Sequence, residues 1–292
     1  MKILVTGKDG QVGWELQRVL APLGDIAAFD RSQLDLSREC SIRERVREVS
    51  PHIIVNTGAY TAVDKAVAEP DLAMTINGVA PGILAQEAHR LNALLIHYST
   101  DYVFDGTKSG PYTEEDVPNP LNVYGATKLA GERAIQAAGA GHMILRTSWV
   151  YGARGHNFML TMLRLARERE ELQVISDQIG APTWCRSLAE ATERMLRGRL
   201  AKKSAGAECD GIFHVTASGS TSWFEFAREI LTRTEADRTR QPKLTPILSE
   251  HYKSAAKRPK NSLLSNQKLE RTFSFGLKDW KEELKSALRD LP

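Results

Sequence analysis

The sequence predicts an α/β fold built on a doubly wound parallel sheet, with a smaller C-terminal part, and three observations predict it. Short apolar runs alternate with longer segments of helical periodicity over residues 1–150. The runs are apolar at consecutive positions rather than at every second one, as strands covered on both faces require. The first run leads at once into a glycine-rich turn and a helix, the opening of a strand–turn–helix unit.

Taken in order, Ile3 to Thr6 reads as the first strand, Gln11 to Leu20 as the first helix and Ile26 to Phe29 as the second strand. Ser37 stands where it can cap the next helix, which carries Ile42, Val46 and Val49 at helical spacing before Pro51. Ile53-Ile54-Val55 is the third strand, Asp71 to Leu91 a long helix and Leu94 to Ser99 the fourth strand. Tyr124 to Ala138 is a helix and Met143 to Thr147 the fifth strand. Past Tyr151 the rhythm loosens. A helix over Phe158 to Arg169, a strand around Gln173-Val174-Ile175, a helix over Ser187 to Leu196 and a strand over Ile212 to Val215 follow. Ser222 caps a helix carrying Phe226, Ile230 and Leu231, and a last helix lies around Trp280 to Leu288. Phe224 and Phe226 read as core residues. The polar stretch from Leu200 to Gly211, rich in small residues, reads as an exposed loop. The expected organisation is a dinucleotide-binding domain over residues 1–150 and a mainly substrate-binding domain over 151–292, with some segments of the latter returning to the sheet.

At 292 residues, 42% hydrophobic and 26% charged, the chain can bury a sizeable core. A formal net charge of only +3 argues against a nucleic-acid partner, while leaving room for a local basic patch around a phosphorylated ligand. Met1-Lys2 runs into an apolar stretch that Gly7 stops, too short for a secretory or membrane segment, so the expectation is a soluble protein. Cys40, Cys185 and Cys209 are widely spaced and odd in number, which suggests reduced thiols in the cytoplasm. The seven histidines show no metal-ligand spacing.

Gly7, Gly10 and Gly13 lie between the first strand and the first helix. In the Rossmann arrangement one glycine permits the tight turn, one lets backbone approach a pyrophosphate and one lets helix and strand pack closely. The pyrophosphate then rests on the positive end of the helix, beside Gln11 and Val12. Three glycines alone are weak evidence, but their place directly after a strand favours a dinucleotide. Asp30 ends the second strand, where a carboxylate can accept from the adenosine ribose hydroxyls, and Arg31 could instead neutralise a 2′-phosphate. NADH and NADPH are therefore both open. Asp35-Leu36 borders the adenine.

Tyr124 and Lys128 stand four residues apart, on one face of a helix. A lysine charge beside a phenol is expected to lower its pKa, so that the phenol can protonate a carbonyl oxygen as hydride reaches carbon. Such a pair also arises by chance on solvated helices. Here Ser99-Thr100-Asp101 ends the fourth strand and Asn56 to Thr61 the third, at the sheet edge where ligands bind. Lys253, Lys257, Arg258 and Lys260 are either a diphosphate grip or a solvated basic loop.

With these strings in order, together with His97 to Phe104, Pro120 to Gly125, Arg146 to Tyr151, Gly180 to Thr183 and Arg258-Pro259, the chain resembles the extended short-chain dehydrogenase/reductases almost end to end. Within that family it is most similar to the reductases of dTDP-linked 4-keto sugars. The resemblance implies reduction of the 4-keto group of dTDP-4-dehydro-6-deoxy-L-mannose to dTDP-L-rhamnose with NADPH or NADH, for cell-surface polysaccharide such as O-antigen. It implies Tyr124 as general acid, Lys128 as its electrostatic and ribose-binding partner, and Thr100 as the residue holding the sugar carbonyl. Gly10, Gln11 and Val12 would meet the pyrophosphate and Asp30 the ribose, with Asp35, Leu36, Ala59, Tyr60, Thr61 and Tyr98 completing the cofactor site. Asp101, Trp149 and Arg258 would meet the sugar nucleotide. It further implies a homodimer and a Mg²⁺ requirement for some members, though no motif for the metal is visible. Thr57-Gly58 departs from the family's alanine pair. Dehydratases of the family carry an acidic pair after the threonine, where this chain has Asp101 alone. A non-catalytic regulatory subunit on the same scaffold can also retain Tyr-x-x-x-Lys.

Overall fold

The computed structural model describes residues 1–201, 206–234 and 242–291. The first half contributes β1 (Lys2–Thr6), α1 (Gln11–Leu20), β2 (Asp25–Phe29), α2 (Glu39–Val49), β3 (Ile53–Asn56), α3 (Pro70–Met74), α4 (Ala80–Leu91), β4 (Leu94–Thr100), α5 (Val123–Ala137) and β5 (His142–Thr147). The second half contributes β6 (Val150–Tyr151), α6 (Phe158–Glu168), β7 (Glu171–Ile175), β8 (Ile179–Gly180), β9 (Thr183–Trp184) and α7 (Cys185–Ala201). It continues with β10 (Gly211–His214), β11 (Thr221–Ser222), α8 (Trp223–Arg233), β12 (Lys243–Ile247), α9 (Gln267–Phe273) and α10 (Trp280–Arg289).

Six strands form one parallel sheet in the order β10-β5-β4-β3-β1-β2. The winding direction reverses between β1 and β3, and that reversal opens a crevice at the strands' carboxyl ends. Side chains alternate between faces along each strand. Ile3, Val5, Ile53, Val55, Ile96, Met143 and Leu145 pack with Leu16 and Leu20 of α1, Leu188, Met195 and Leu196 of α7, and Leu269 of α9. Leu4, Ile54, Leu95 and Ile144 point the other way, onto Ile42 and Val46 of α2, Leu84 and Ala88 of α4, and Ile135 of α5. Apolar residues at consecutive strand positions thus serve two cores, which is why these strands read as unbroken runs. A further cluster in the second half gathers Tyr151, Met159, Met162, Phe226, Ile230, Trp280 and Leu284, with Phe224 partly buried against it.

Several local expectations change. Ser37 does not cap α2: its hydroxyl donates to Asp35 Oδ1 at 2.7 Å, and the helix starts two residues later. The long helix is interrupted by a π-turn, Thr75–Val79. There Asn77 is buried and its amide is spent on tertiary partners: Oδ1 accepts from Tyr60 N at 2.8 Å, while Nδ2 donates to Tyr60 O and to Thr127 Oγ1. Local periodicity carries no trace of such partners. The stretch from Leu200 to Gly211 is not an exposed loop throughout. Residues 202–205 lie outside the described residues, Gly206–Cys209 form a 3₁₀ turn with Cys209 buried, and Asp210 pairs with Arg199 at 2.6 Å. β12, α9 and the two-residue strands left no signal that periodicity could detect.

Glu283 of α10 is buried, accepting from Trp184 N at 3.0 Å through one oxygen while the other has no hydrogen-bond partner. Burial pushes its carboxyl up to about 7. Between the ordinary glutamate value and that one, the folded chain keeps a proton that the unfolded chain gives up, so stability falls as pH rises through this window. Glu283→Gln keeps an acceptor for Trp184 and buries no charge. It is expected to exceed the parent by about 1–3 kcal/mol near pH 8, and to match it closely near pH 4. Thermal melts at the two pH values check this, and an equal gap at both would refute it.

Candidate active site

Gly7 has φ +69°, and a Cβ built on Gly13 would lie 2.1 Å from the Gly7 carbonyl oxygen. The turn between β1 and α1 therefore closes only because both side chains are missing. The Gly10 amide donates to Gly7 O at 3.0 Å. No side chain caps α1 and no acid lies in its first turn, which leaves its positive end to an anion.

Two adjoining cavities, of about 350 and 440 Å³, share Gly7, Gly58, Ala59 and Thr61 and form one cleft over the sheet's carboxyl edge. Arg31, Asp35, Leu36 and Tyr60 line the first, on the β2 side. Gly10, Gln11, Val12, Gly13, Tyr98, Tyr124 and Lys128 line the second, which reaches across to β5. Residues from positions 7 to 128 thus meet in one place. Asp30 lines neither cavity. Its carboxylate accepts from Ser32 N, Ser32 Oγ and Gln33 N and pairs with Lys8 Nζ at 3.0 Å, and the Ser32 hydroxyl and then Lys8 hold it down to about 2. The carboxylate expected at the ribose is committed to its own turn, while the exposed Arg31 lies at the cavity.

At the other end, Asn122 Oδ1 caps α5 by accepting from Gly125 N at 2.8 Å. A Cβ on Gly125 would lie 2.1 Å from Tyr102 O, so glycine lets the start of α5 press onto the turn that follows β4. This close approach sets Tyr124 against Thr100 and Asp101. Burial first, then the Asp101 charge, push the Tyr124 phenol up to about 12, while a hydrogen bond with Thr100 acts the other way. The expectation that Lys128 lowers it is overturned. Lys128 Nζ is turned into the protein, 2.5 Å from Tyr98 O and 3.1 Å from His97 Nε2. Burial draws its own ammonium down to about 8, opposed by Glu132. Thr100 Oγ1 donates to Asp101 Oδ1 at 2.9 Å and accepts from Tyr102 N at 3.1 Å. Asp101 Oδ2 has no hydrogen-bond partner, and burial pushes this carboxyl up to about 7. The Tyr98 hydroxyl is spent on Thr192 Oγ1 at 2.6 Å, so Tyr98 offers the cleft its ring rather than its hydroxyl.

Trp149 (φ +48°) stacks flat on Trp223 at 3.5 Å, its indole over Gly180. A third cavity, of about 640 Å³, lies alongside, lined by Phe158, Met162, Val174, Trp223 and Arg258 among others. Arg258 holds Asp64 at 2.6 Å from one edge of that cavity. Lys253, Lys257 and Lys260 are exposed, so of the four basic residues Arg258 alone lines a cavity described here. Sequence reasoning missed Thr147, Val150, Gly155, His156 and Leu188 in the cleft and Phe158 and Trp223 beside the larger cavity. Thr147 and Val150 lie in the Arg146–Tyr151 string, which assigned them no role; the others belong to no local pattern and arrive by folding.

Among the described residues no three His, Cys, Asp or Glu side chains come together as a metal site. Where carboxylates of separate elements do approach, at Glu15 of α1 and Asp290 after α10, the Arg186 guanidinium bridges them at 3.3 and 2.6 Å.

The family profile of the RmlD substrate binding domain matches residues 1–292. The dTDP-4-dehydrorhamnose reductase of Burkholderia thailandensis is 46% identical over 295 residues, covering 100% of this chain and 99% of the relative. That of Escherichia coli K12 is 47% identical over 299 residues, covering 100% and 98%. The crystal structure of the Bacillus anthracis dTDP-4-dehydrorhamnose reductase in complex with NADP superposes with a TM-score of 0.90 at 37% identity, covering 99% of each chain.

Proposed function

The chain belongs to the dTDP-4-dehydrorhamnose reductase family and is an oxidoreductase, and from that premise we propose what its cleft does. When bound, NADPH or NADH supplies hydride to the 4-keto carbon of dTDP-4-dehydro-6-deoxy-L-mannose, giving dTDP-L-rhamnose. The observation that carries this reading is the single cleft running from the uncapped end of α1 to Tyr124 and Lys128.

The backbone at Gly10, Gln11 and Val12 holds a pyrophosphate against the helix end. Ala59, Tyr60, Thr61, Asp35 and Leu36 enclose the adenosine. Tyr124, protonated at neutral pH, donates its proton to the ketone oxygen as charge develops there. Lys128, which lines the same cavity, meets the dinucleotide's ribose. Thr100 holds the same oxygen, and the state of Asp101 decides how well. While Asp101 is ionised it accepts a hydrogen bond from the Thr100 hydroxyl; once protonated, it can donate to Thr100 instead and release that hydroxyl to the substrate. The Phe158, Trp223 and Arg258 cavity, with Trp149 stacked on Trp223, suits the thymidine nucleotide: stacking surface for the base and a guanidinium for phosphate. Residues 151–292 then supply most of the sugar-nucleotide site. A cytoplasmic enzyme feeding cell-surface polysaccharide such as O-antigen completes the reading, supported by three free cysteines. No helix among the described residues is long and apolar enough to cross a membrane.

The test is oxidation of NADPH or NADH by the enzymatically generated 4-keto nucleotide. Absence of oxidation with both dinucleotides would end the proposal. For the Asp30–Lys8 pair the expected result concerns cofactor choice. Asp30→Ala frees Lys8 beside Arg31 and should shift the NADPH:NADH ratio of kcat/KM toward NADPH by about tenfold. An unchanged ratio would place the pair away from the 2′ position.

A further inference from the structure

Beneath the cleft, one polar side chain from each of three adjacent strands joins a buried row. Thr6 of β1, Asn56 of β3 and His97 of β4 are successive register partners, each no more than 2% exposed. Lys128 Nζ lies 3.1 Å from His97 Nε2, and His97 Nδ1 lies 2.9 Å from Asn56 Nδ2. Asn56 Oδ1 lies 2.6 Å from Thr6 Oγ1, which accepts from Gly58 N at 3.1 Å. The row therefore links the lysine to the loop bordering the cleft. Neighbouring positions on the same strands carry Ile, Leu and Val, and burying three polar groups in their place is costly unless each is bonded.

We propose that His97, seated by Asn56 and Thr6, is a positioning residue for Lys128: it holds the amine at the cleft wall in both protonation forms and sets the pH at which the positive charge is lost. The inference rests on the reading of Lys128 as part of the reductase site.

Counting protons shows how. Burial, then the Lys128 charge, hold His97 well below its ordinary range, so the ring is neutral with one N–H. With Lys128 an ammonium, Nζ donates to Nε2. The ring proton then sits on Nδ1 and goes to the Asn56 oxygen, and the Asn56 NH₂ goes to Thr6 Oγ1. With Lys128 an amine, one proton has left Nζ for the cleft. The ring proton sits on Nε2 and goes to the Nζ lone pair, Nδ1 accepts from the Asn56 NH₂, and the Thr6 hydroxyl donates to the Asn56 oxygen. A half-turn of the amide separates the two arrangements, and no nitrogen or oxygen of the row loses its partner in either. The titratable groups acting on Lys128 are Glu132 from α5 and His97 from β4. Arg146 is engaged by Glu132 at 2.7 Å, and Asn56 and Thr6 carry no charge.

The experiment titrates Lys128 in the full chain by NMR of [ε-¹³C]lysine, alongside the basic limb of the kcat/KM profile. His97→Leu removes the acceptor of the ammonium and is expected to move both downward by about one pH unit. Asn56→Asp fixes an acceptor toward Nδ1, leaves Nε2 as an acceptor for the ammonium and is expected to move both upward by about the same. His97→Gln, which keeps a donor and an acceptor, should return the midpoint close to the parent's. Should His97→Leu fail to fold, the Asn56→Asp shift and the Gln rescue carry the test. Midpoints that stay in place, or that move the same way in the Leu and Asp variants, overturn the proposal. The NMR arm needs no turnover, so failure of the reductase reading shows separately, as an inactive parent.

Discussion

Tyr124→Phe is expected to lower kcat about 10³-fold while dinucleotide affinity stays within about threefold of the parent. The geometry sets the phenol beside Thr100, and its high proton affinity means it carries that proton across the neutral range. Phenylalanine keeps the ring and its edge-on contact with Tyr102, at 6.0 Å between centroids, so the cleft wall survives. Single-turnover oxidation of NADPH with saturating 4-keto nucleotide measures the first number, and fluorescence titration of the dinucleotide the second. A variant retaining a third of the parent's kcat would remove the phenol from the chemistry. One losing dinucleotide affinity in step with kcat would make Tyr124 a binding residue.

Gly13→Ala carries the second large effect, on affinity rather than turnover. Its new Cβ would meet Gly7 O at 2.1 Å and Gly7 C at 2.8 Å, and the obstruction is backbone, which cannot rotate aside. Either α1 slides back from β1 or the turn opens, and both withdraw the amides of Gly10, Gln11 and Val12 from the anion. A loss of at least about 100-fold in dinucleotide affinity is expected, about 2.7 kcal/mol. Calorimetric titration checks it, with circular dichroism to show that the fold persists. Parent-like affinity would mean that the glycine turn is not where the pyrophosphate sits.

What could be read in advance follows from distance along the chain. The β1 turn and the Tyr124–Lys128 face are each written in consecutive or near-consecutive residues, so sequence spacing alone displays them. Of the cleft's far walls, Tyr60 was reachable because strand ends converge by rule in a doubly wound sheet, whereas Tyr98 came only with the family resemblance. The electrostatics were not. Whether Lys128 faces the phenol or the protein interior depends on His97 and on the Tyr98 carbonyl, about thirty residues upstream. Asp30 could be picked out by its position at the end of β2, but its hydrogen bonds to Ser32 and Gln33 and its pairing with Lys8 could not. Ser37 failed as a cap for the same kind of reason, since Asp35 offered its hydroxyl a nearer acceptor. Trp223 was invisible as a wall because its partners, Trp149 and Phe158, come from other elements.

β10 is formed by residues 211–214, yet it pairs with β5 at the edge of the main sheet, and Leu188, Met195 and Phe213 sit in the same core as Ile3 and Val5. The halves of this chain are therefore not interchangeable cassettes. Grafting residues 151–292 from a relative with another sugar preference would import an edge strand and a layer of hydrophobic packing along with any site residues. A graft that spared α7 and β10 and exchanged only the segments around Phe158 and Trp223 would leave that shared interior undisturbed.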